Sequence, residues 1–374
     1  MLIKKIRASK LTSIAALVAV VLGSTAYATQ YTVTPLSTLG GTSITVRGIN
    51  STGELTGYFT NSAGTQDTFL YSNGVMTNLG TFGGVSSLAT GINSSGQIAG
   101  WSTNSAGVQN AFLYSNGAVS YLGTLGGSGS TAHGINSTGQ VVGWADNSAG
   151  NAHAFLYSNG TMTDLGTFGG ADSWATGINS SGQIAGWADN STGAYDAFLY
   201  SNGVMTNLGT LGGTNSFANA INSSGQVVGW YTTSADTIAF LYSNGAMTSL
   251  GTLGGTYSDA QGINSSGQIV GLSTNSTGSQ YAFLYSNGVM QNLNSLIGSA
   301  SSEYTLTNAM GINKNGQIAV NGTITATGQS MGFLLTPVTS TSSAAVPAPE
   351  TLGLLAAAMA GLLLMRRKQA RSLG

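Results

Sequence analysis

The chain has 374 residues, of which only 6% are charged, 41% are hydrophobic and 56 are glycine. Ordinary soluble domains carry about 25% charged residues, so this composition excludes the charged surface of a typical cytosolic enzyme, while the hydrophobic content excludes a disordered chain. The absence of cysteine excludes a disulfide framework and thiolate metal sites, and no motif in the chain points to a cofactor.

Charge is concentrated at the two ends of the sequence. Four of the ten basic residues lie before residue 11, and four more lie after residue 365. Residues 11–349 therefore hold Arg47 and Lys314 against ten acidic residues, a net charge of −8. A surface of that sign repels a phosphate backbone, which excludes nucleic acid as a partner.

The first 28 residues have the layout of a secretory signal peptide. A basic stretch, Met1–Lys10, precedes an apolar run from Leu11 to Gly23, and Ala26 and Ala28 then form the small-x-small pattern of a cleavage site. We expect cleavage after Ala28, because the apolar run is too short to span a membrane. An uncleaved N-terminal anchor is the alternative.

The middle of the chain repeats one sequence unit seven times. The motif Ile-Asn-Ser-Ser-Gly-Gln and its close variants recur at intervals of 42 or 43 residues, and the last interval is 49. A period of this size indicates a repeat architecture in which each unit is completed by its neighbours. The Asn of the motif stands at Asn50, Asn93, Asn136, Asn179, Asn222, Asn264 and Asn313.

Each repeat predicts four short β-strands separated by turns. Asn and Ser side chains with a following Gly close the first turn, and Asn-Gly between apolar runs is a strong signal for a tight hairpin. No segment of the middle keeps helical periodicity over three turns. In the second repeat the predicted strands are Ala89–Asn93, Gln97–Trp101, Ala111–Tyr114 and Val119–Thr124.

Four antiparallel strands per repeat match one propeller blade, so the sequence predicts an all-β, seven-bladed β-propeller of four-stranded antiparallel blades over residues 29–337. The last repeat, Gly311–Pro337, lacks a fourth strand, whereas Tyr31–Gly41 has the pattern of a spare one. We expect Tyr31–Leu39 to pair with Gly332–Leu335 and close the ring. A linear β-solenoid is the alternative, but it has no use for a displaced strand.

The C-terminal end of the sequence predicts a second targeting signal, in addition to the signal peptide. A Ser/Thr/Ala/Pro linker at 338–349 leads to residues 350–374, where an apolar run at 352–365 precedes a basic cluster, so short hydrophobic helices are expected at both termini. This three-part tail resembles the PEP-CTERM sorting signal, although Ala348 stands where the usual order has Glu. The resemblance implies an exosortase-type transpeptidase as partner and a Gram-negative bacterium as host. The processing residues are Pro347, Pro349, Glu350, Arg366, Arg367 and Lys368.

The repeats also resemble a known family. The segment Asn151–Gly170, together with the motif Gly-Ile-Asn-Ser-Ser-Gly-Gln-Ile-Ala-Gly-Trp, is similar to the HAF family of bacterial extracellular repeats, and the resemblance covers residues 31–337. The His-Ala-Phe of the family name is intact only at His153-Ala154-Phe155. The family is defined as a repeat without an established reaction, so the resemblance implies an extracellular protein and supplies no catalytic residues.

Two kinds of loop alternate in the repeats. The turns after the first and third strands are nearly identical and are expected on one rim, whereas the other loops vary and are expected on the opposite rim, where recognition usually occurs. Trp174 and Phe217 either offer flat faces to a sugar there or pack between blades, and His153 is expected on a neighbouring loop. A Trp column on the second strands, which includes Trp187, is expected to pack between blades. The candidate ligand-binding residues are Arg47, His133, His153, Trp174, Phe217, Asn219 and Gln261.

The sequence supports no catalytic site. Nothing places the two histidines, His133 and His153, together, and the Gly-Gln-Ser-Met-Gly string at 328–332 enters a strand instead of the strand-to-helix turn of a nucleophile elbow. Weak calcium binding at Asp146–Gly150 or Asp189–Gly193 stays open, since each segment offers one carboxylate.

We therefore expect a monomeric, non-catalytic repeat protein that is exported as a membrane-anchored precursor. It would touch the inner membrane transiently and reach the cell surface or the extracellular matrix, where the variable rim would bind or organise exopolysaccharide. The alternatives are a secreted polysaccharide hydrolase or lyase, and a purely structural surface spacer. A plain membrane anchor is the alternative for the tail.

Overall fold

The computed structural model describes residues 29–338, of which strands account for 62% and helices for 3%. The predicted signal peptide at 1–28, the rest of the predicted linker, and the predicted sorting signal with its expected hydrophobic helix at 352–365 lie outside the described residues. Between residues 29 and 338, no helix has the length and apolar character needed to cross a membrane.

The described residues contain 28 strands, which fall into a first strand and seven groups that we call units 1 to 7. The first strand is β1 (Tyr31–Pro35). Unit 1 consists of β2 (Ser43–Ile49), β3 (Leu55–Thr60), β4 (Gln66–Ser72) and β5 (Val75–Gly80); unit 2 consists of β6 (Ser86–Ile92), β7 (Ile98–Thr103), β8 (Gln109–Ser115) and β9 (Ala118–Tyr121). Unit 3 consists of β10 (Gly126–Ile135), β11 (Val141–Asn147), β12 (Ala152–Ser158) and β13 (Thr161–Asp164); unit 4 consists of β14 (Gly169–Ile178), β15 (Ile184–Asn190), β16 (Tyr195–Ser201) and β17 (Val204–Asn207).

The remaining units follow in the same order, with two short 3-10 helices before the last one. Unit 5 consists of β18 (Asn215–Ile221), β19 (Val227–Thr232), β20 (Thr237–Ser243) and β21 (Ala246–Gly251); unit 6 consists of β22 (Gly254–Ile263), β23 (Ile269–Asn275), β24 (Gln280–Ser286) and β25 (Val289–Asn292). The helices are η1 (Leu293–Leu296) and η2 (Gly298–Ser302), and unit 7 consists of β26 (Tyr304–Ile312), β27 (Ile318–Ile324) and β28 (Ser330–Pro337).

Each of units 1 to 6 forms four antiparallel strands in sequence order, which confirms the predicted all-β class and its four-stranded antiparallel sheets. Units 5 and 6 count as one eight-stranded sheet because a single parallel pair, Thr237 and Tyr257, joins them. Strand β1 is the fourth strand of unit 7, where Thr34 lies opposite Leu334 in an antiparallel pair with β28. The N-terminal segment therefore pairs with the last strand, as the sequence predicts.

The hairpin between the third and fourth strands has the backbone that its Asn-Gly pair predicts. In unit 2, Asn116 and Gly117 have φ angles of 51° and 80°. Both angles lie in the left-handed region, as a type I′ turn requires, and Asn and Gly tolerate that region better than other residues. The same pair closes the hairpin of units 1 to 6, so the register of the outer two strands is set by local turn chemistry.

In units 1 to 6 the core is built from a Gly on the second strand that pairs with a Phe on the third, and in unit 7 Val320 stands opposite Phe333. In unit 3, Gly143 pairs with Phe155, whose side chain is fully buried. A Cβ at Gly143 would collide with the carbonyl oxygen of Thr131 on the first strand. Glycine is therefore required for the close approach of the first two strands, and the Phe ring fills the space that this approach leaves. The buried Phe rings of the seven third strands are Phe69, Phe112, Phe155, Phe198, Phe240, Phe283 and Phe333.

The Asn of the repeat motif links each unit to the next. The buried Asn136 accepts hydrogen bonds on Oδ1 from the backbone N–H groups of Thr138 and Gln140, and its Nδ2 donates to Gln140 Oε1 at 2.8 Å and to the Asn179 carbonyl at 3.1 Å. One side chain thus closes its own turn and satisfies a buried carbonyl of the following unit. All seven Asn residues donate to the next one in this way, and Asn313 donates to the carbonyl of Asn50 at 3.1 Å.

A buried serine on the first strand adds a second link in most units. In unit 4, Ser173 Oγ accepts a hydrogen bond from the backbone N–H of Ala154 in unit 3 at 2.9 Å and donates to the Gly166 carbonyl at 2.6 Å. The hydroxyl group therefore satisfies one donor and one acceptor of the preceding unit. Ser87, Ser130, Ser216 and Ser258 accept the corresponding backbone N–H.

The longest interval between repeats is filled by the two short helices. Leu293, Leu296 and Ile297 are buried against unit 7, and Asn292 caps η1 by accepting a hydrogen bond from the N–H of Asn294 at 2.9 Å. The extra residues thus add apolar contacts to the unit whose fourth strand comes from the other end of the described chain.

We predict that Asn136→Ala lowers the free energy of unfolding by about 2–4 kcal/mol, because it removes five side-chain hydrogen bonds and leaves a buried carbonyl of Asn179 without a partner. Asn147→Ala is the matched control, since Asn147 closes a similar turn at Ala149 and Asn151. Equilibrium unfolding in urea measures both variants. Equal losses in the two variants would contradict a role of Asn136 in joining the units.

Candidate functional site

A cavity of about 200 Å³ is lined by the first strands of all seven units. We call it the bulge cavity, because its polar lining residues stand at a backbone irregularity described below. A second cavity of about 350 Å³, the turn cavity, is lined by Asn and Ser residues of the first turns and by Lys314. The two cavities share the isoleucines Ile49, Ile92, Ile135, Ile178, Ile221 and Ile263.

A β-bulge interrupts the first strand of every unit at the same place. In unit 3, Ala132 pairs with Gly143 and Gly134 pairs with Val142, so that His133 is an extra residue without a partner on the second strand. A bulge of this kind bends the strand and re-aims the side chain of the extra residue. The bulged residues are Arg47, Thr90, His133, Thr176, Asn219, Gln261 and Met310.

The structure brings together three of the seven predicted ligand-binding residues in one lining. Arg47, Asn219 and Gln261 line the bulge cavity, and His133 occupies the same bulge position in unit 3. Comparison of the repeats could find these residues because they stand at one aligned position whose side chain varies from repeat to repeat. The bulge fixes the backbone there and leaves the side chain free to vary.

Some bulged side chains also join neighbouring units. Thr176 Oγ1 donates to the carbonyl of Ala218 in unit 5 at 2.8 Å, and Asn219 Nδ2 donates to the carbonyl of Ala260 in unit 6 at 2.9 Å. These two residues therefore have a structural role in addition to facing the cavity.

A buried carboxylate lies directly behind two of the cavity residues. Asp259 is 6% exposed and accepts hydrogen bonds from Asn219 Nδ2 at 2.7 Å and from Gln261 Nε2 at 2.6 Å. Burial raises its pKa to about 7, although the two amide hydrogen bonds act in the opposite direction. In the sequence, Asp259 is the only acid among the seven residues that stand five positions before the motif Asn of each repeat, the position that Trp174 holds in unit 4.

Arg47 and His133 are the two bulged residues with basic side chains. Arg47 is exposed, and its guanidinium carbon lies 6.0 Å from the centroid of the Tyr58 ring. Burial, and secondarily the charge of Arg47, lower the pKa of the partly buried His133 to about 4. His133 is therefore neutral at pH 7, and Arg47 supplies the positive charge at this cavity.

The aromatic candidates lie in a row across units 4 and 5. Trp174 stacks on Trp187 of its own sheet with ring centroids 3.9 Å apart, and Phe217 stacks on Trp230 at 4.1 Å. Trp187 also meets Phe217 edge to face at 5.1 Å, which joins the two units. Tyr195 completes the row, 5.2 Å from Trp187. Each ring is partly exposed, so the row packs between units and still offers surface to a ligand.

His153 lies in a strand, which corrects the prediction that it stands on a loop. It belongs to β12, where it pairs with Ala145, and its Nδ1 lies 2.8 Å from an oxygen of Asp164 on β13. In unit 4, Asp196 accepts a hydrogen bond from Asn207 at 2.9 Å in the same register. The position that His153 holds in unit 3 and Asp196 holds in unit 4 therefore links the third strand to the fourth. His153 does not line the bulge cavity.

Two acids, Asp172 and Asp189, lie near the aromatic row, and of these the sequence points only to Asp189, as a carboxylate for weak calcium binding. Asp189 Oδ1 is buried without a hydrogen-bond partner, and burial together with the charge of Asp172 raises the pKa of Asp189. Asp189 and Trp187 stand two residues apart on β15, so both point to the same face of that strand. Among residues 29–338, no three His, Cys, Asp or Glu side chains are grouped to hold a metal ion.

A larger cavity of about 540 Å³ opens between unit 1 and its neighbours. Its lining includes Gly53 and Ser94 from two first turns and Asn73 from the Asn-Gly hairpin. The two turn types therefore share one rim, as the sequence predicts. Because these turns are repeated almost unchanged, the cavity is a product of the scaffold and is not the candidate site.

No protein-family model matches the chain, and no curated protein matches it. Among solved structures, TolB from Acinetobacter baumannii is similar at 14% identity with a TM-score of 0.44, over 76% of this chain and 64% of that one. A puromycin-hydrolyzing peptidase from Mycobacterium tuberculosis is similar at 11% identity with a TM-score of 0.49, over 81% of this chain and 56% of that one. A gluconolactonase from Xanthomonas campestris, XC5397, is similar at 9% identity with a TM-score of 0.34, over 83% of this chain and 96% of that one.

The matched part of this chain spans less than two thirds of the TolB and peptidase chains. Identities of 9–14% carry no activity from these proteins to this one. The consecutive four-stranded antiparallel sheets of residues 29–338 define a protein of the β-propeller type.

We predict that Asp259→Asn becomes more stable relative to the parent as the pH rises. The pKa of Asp259 is raised from 3.8 to about 7 on folding, so its contribution to stability is full below pH 3.8 and is lost by about pH 7. Asn does not ionise, and the difference between variant and parent should grow across this window by roughly 2–4 kcal/mol and then level off.

Urea unfolding at a series of pH values measures this difference. His133 acts in the opposite direction below its ordinary pKa of 6.5, and subtracting parent from variant removes its effect. Asp236→Asn, on the loop before β20, is the matched acid-to-amide control. A flat difference for Asp259→Asn would contradict the raised pKa.

Proposed function

We propose that the chain is an exported, non-catalytic surface or matrix protein that binds exopolysaccharide, built as a closed seven-bladed β-propeller. Two contacts support closure: the pairing of β1 with β28, and the hydrogen bond from Asn313 to the Asn50 carbonyl. They join the two ends of the repeat array, and closure leaves no unit with an unpaired packing face. The resemblance of the repeats to the HAF family supports an extracellular location.

The aromatic row is the observation that carries the binding proposal. Trp174 and Phe217 stand at the same register of adjacent units, and each is partly exposed on top of a second aromatic ring. Flat apolar faces with a few polar groups nearby are typical of sites that fix an extended ligand. The bulged Asn219 lies two residues from Phe217 and supplies such a polar group.

The charge of the body restricts the ligand. Residues 11–349 carry a net charge of −8, and a strongly anionic polymer would be repelled. A neutral or weakly charged polysaccharide is therefore the partner that fits the row.

A second candidate function, a secreted polysaccharide hydrolase or lyase, is favoured by one observation. Asp189, whose pKa is raised, lies beside Asp172 and on the same strand face as Trp187. Two carboxyl groups beside an aromatic platform are the minimum that glycoside hydrolysis needs. Release of reducing ends by the parent but not by Asp189→Asn would favour the enzyme, and a protein without either activity would be a structural spacer.

The export proposal rests on the two ends of the sequence. We propose that residues 1–28 direct secretion and that residues 350–374 hold the precursor at the inner membrane until an exosortase-type enzyme processes it. The composition agrees with export. The body has far fewer charged residues than a typical cytosolic domain, and without cysteine its folding does not depend on the redox state of the compartment.

We predict that Trp174→Ala abolishes binding to polysaccharide on a glycan array while the melting temperature changes little, because the ring is partly exposed. Leu88→Ala is the matched control, since Leu88 holds the same register in unit 2 opposite Trp101 and should leave binding intact. The packing alternative predicts the reverse: Trp174→Ala would cost about 3–5 kcal/mol of stability, and the parent would bind no glycan.

We predict that replacing Arg366, Arg367 and Lys368 by Gln disturbs retention and processing, because a basic cluster after an apolar run stops transfer across the membrane. Fractionation of an exosortase-bearing host into membrane and medium measures the effect. Replacing the basic residues Arg47 and Lys314 of the body is the control and should not alter the distribution. An unchanged distribution of the tail variant would exclude the sorting role.

A further inference from the structure

The two basic residues of the described chain both stand at cavities formed by the first strands. Arg47 lines the bulge cavity, and Lys314 lines the turn cavity. Neither lining contains a carboxylate, although the body carries ten acidic residues. In a body of charge −8, the bulge cavity offers an anion the exposed Arg47 with no carboxylate in its lining, and the buried Asp259 behind it is covered by Asn219 and Gln261.

Arg47 forms no ion pair among residues 29–338, and its guanidinium carbon lies 6.0 Å from the centroid of the Tyr58 ring. The one ion pair among residues 29–338 joins His153 to Asp164. The buried Asp259 is held by the amides of Asn219 and Gln261 instead of by a cation. Arg47 is exposed, and its guanidinium group is left with its planar set of donors available to a carboxylate.

The walls of the bulge cavity offer mainly acceptors. The hydroxyl proton of Thr176 is directed to the carbonyls of Ala185 and Ala218, which leaves its oxygen lone pairs. Both amide protons of Asn219 are taken by Asp259 and Ala260, which leaves Oδ1 as its remaining polar atom. A ligand that complements these walls carries hydroxyl donors, and it carries an anionic group for Arg47.

Size and polarity narrow the ligand further. The cavity measures about 200 Å³, below the roughly 300–1,000 Å³ of sites for drug-sized molecules, which suits one sugar unit. Ile49 and its equivalents give it an apolar base for the C–H face of a sugar ring. A single Arg with a neutral His133 suits a monoanion better than a phosphate dianion.

We propose that the bulge cavity binds one hexuronate unit, a sugar that carries a carboxylate, with Arg47 pairing with the carboxylate and Thr176 and Asn219 accepting from the hydroxyl groups. This proposal rests on the proposed function and names the charged sugar of the weakly charged polysaccharide. A chain with occasional uronate units would meet the aromatic row with its neutral part and the cavity with its charged one.

Isothermal titration of the purified full chain with D-glucuronate and D-galacturonate tests the proposal, with D-glucose, acetate and inorganic phosphate as comparison probes. At least one uronate should bind. Glucose lacks the carboxylate and acetate lacks the hydroxyl groups, so each should bind roughly tenfold more weakly or not at all. Arg47→Gln should bind the uronate roughly tenfold more weakly than the parent. Lys314→Gln, at the turn cavity, is the matched control and should bind like the parent.

The outcomes separate this proposal from the general one. Failure of both uronates to bind, equal binding of glucose, or an Arg47→Gln variant that binds like the parent overturns the hexuronate site. Equal binding of acetate or phosphate overturns it as well, because the cavity would then select charge alone. Loss of polysaccharide binding in Trp174→Ala without any effect of Arg47→Gln would retain the proposed function and reject this site. Uronate binding that depends on Arg47, in a protein that binds no polysaccharide, would support the site and reject the wider proposal.

Discussion

The hydrogen bond from each motif Asn to the backbone of the next unit is the contact on which the rest of the structure depends. The side chain must accept on one atom, to close its own turn, and donate on the other, to satisfy a buried carbonyl of its neighbour. Asp lacks the donor, and Ser lacks the reach to serve three or four partners at once. This double demand explains why the turn sequence is repeated almost without change from Asn50 to Asn313. It also makes the units interdependent, since a buried carbonyl left without a donor costs more than the bond itself contributed.

The bulge imposes the opposite constraint. Its geometry is fixed by the backbone and by the Gly residues around it, such as Gly143, where a Cβ would meet the Thr131 carbonyl. The side chain of the extra residue is not needed for this geometry, so the same position holds Arg47 in one unit and Met310 in another. Variation at a position of fixed direction is what a recognition surface requires. Thr176 and Asn219 show that part of this freedom is nevertheless used to join neighbouring units.

The sequence predicted those features of the fold that are decided locally or by the period. Asn116-Gly117 specifies its hairpin whatever surrounds it, and the repeat length predicts four strands per unit. The bulge could not be predicted, because it is a shift of register between strands and leaves no residue signature of its own. His153 was misplaced for a related reason: its partner is Asp164, eleven positions later, and only the pairing of β12 with β13 brings the two together. The pKa of Asp259 likewise depends on burial between two units, which no local pattern encodes.

The hydrogen-bond partners of the buried acids bear on the role of the few cations in this protein. Asp196 is held by Asn190 and Asn207, and Asp259 is held by Asn219 and Gln261, so amides perform the task that Lys and Arg perform in most proteins. An amide donor costs little desolvation and needs no counter-charge, which suits a chain with 6% charged residues. A cation is then dispensable for folding. Arg47 stands exposed at the bulge cavity, whose lining contains no carboxylate, and it forms no ion pair among residues 29–338, so its charge is available to a negative group that arrives from outside.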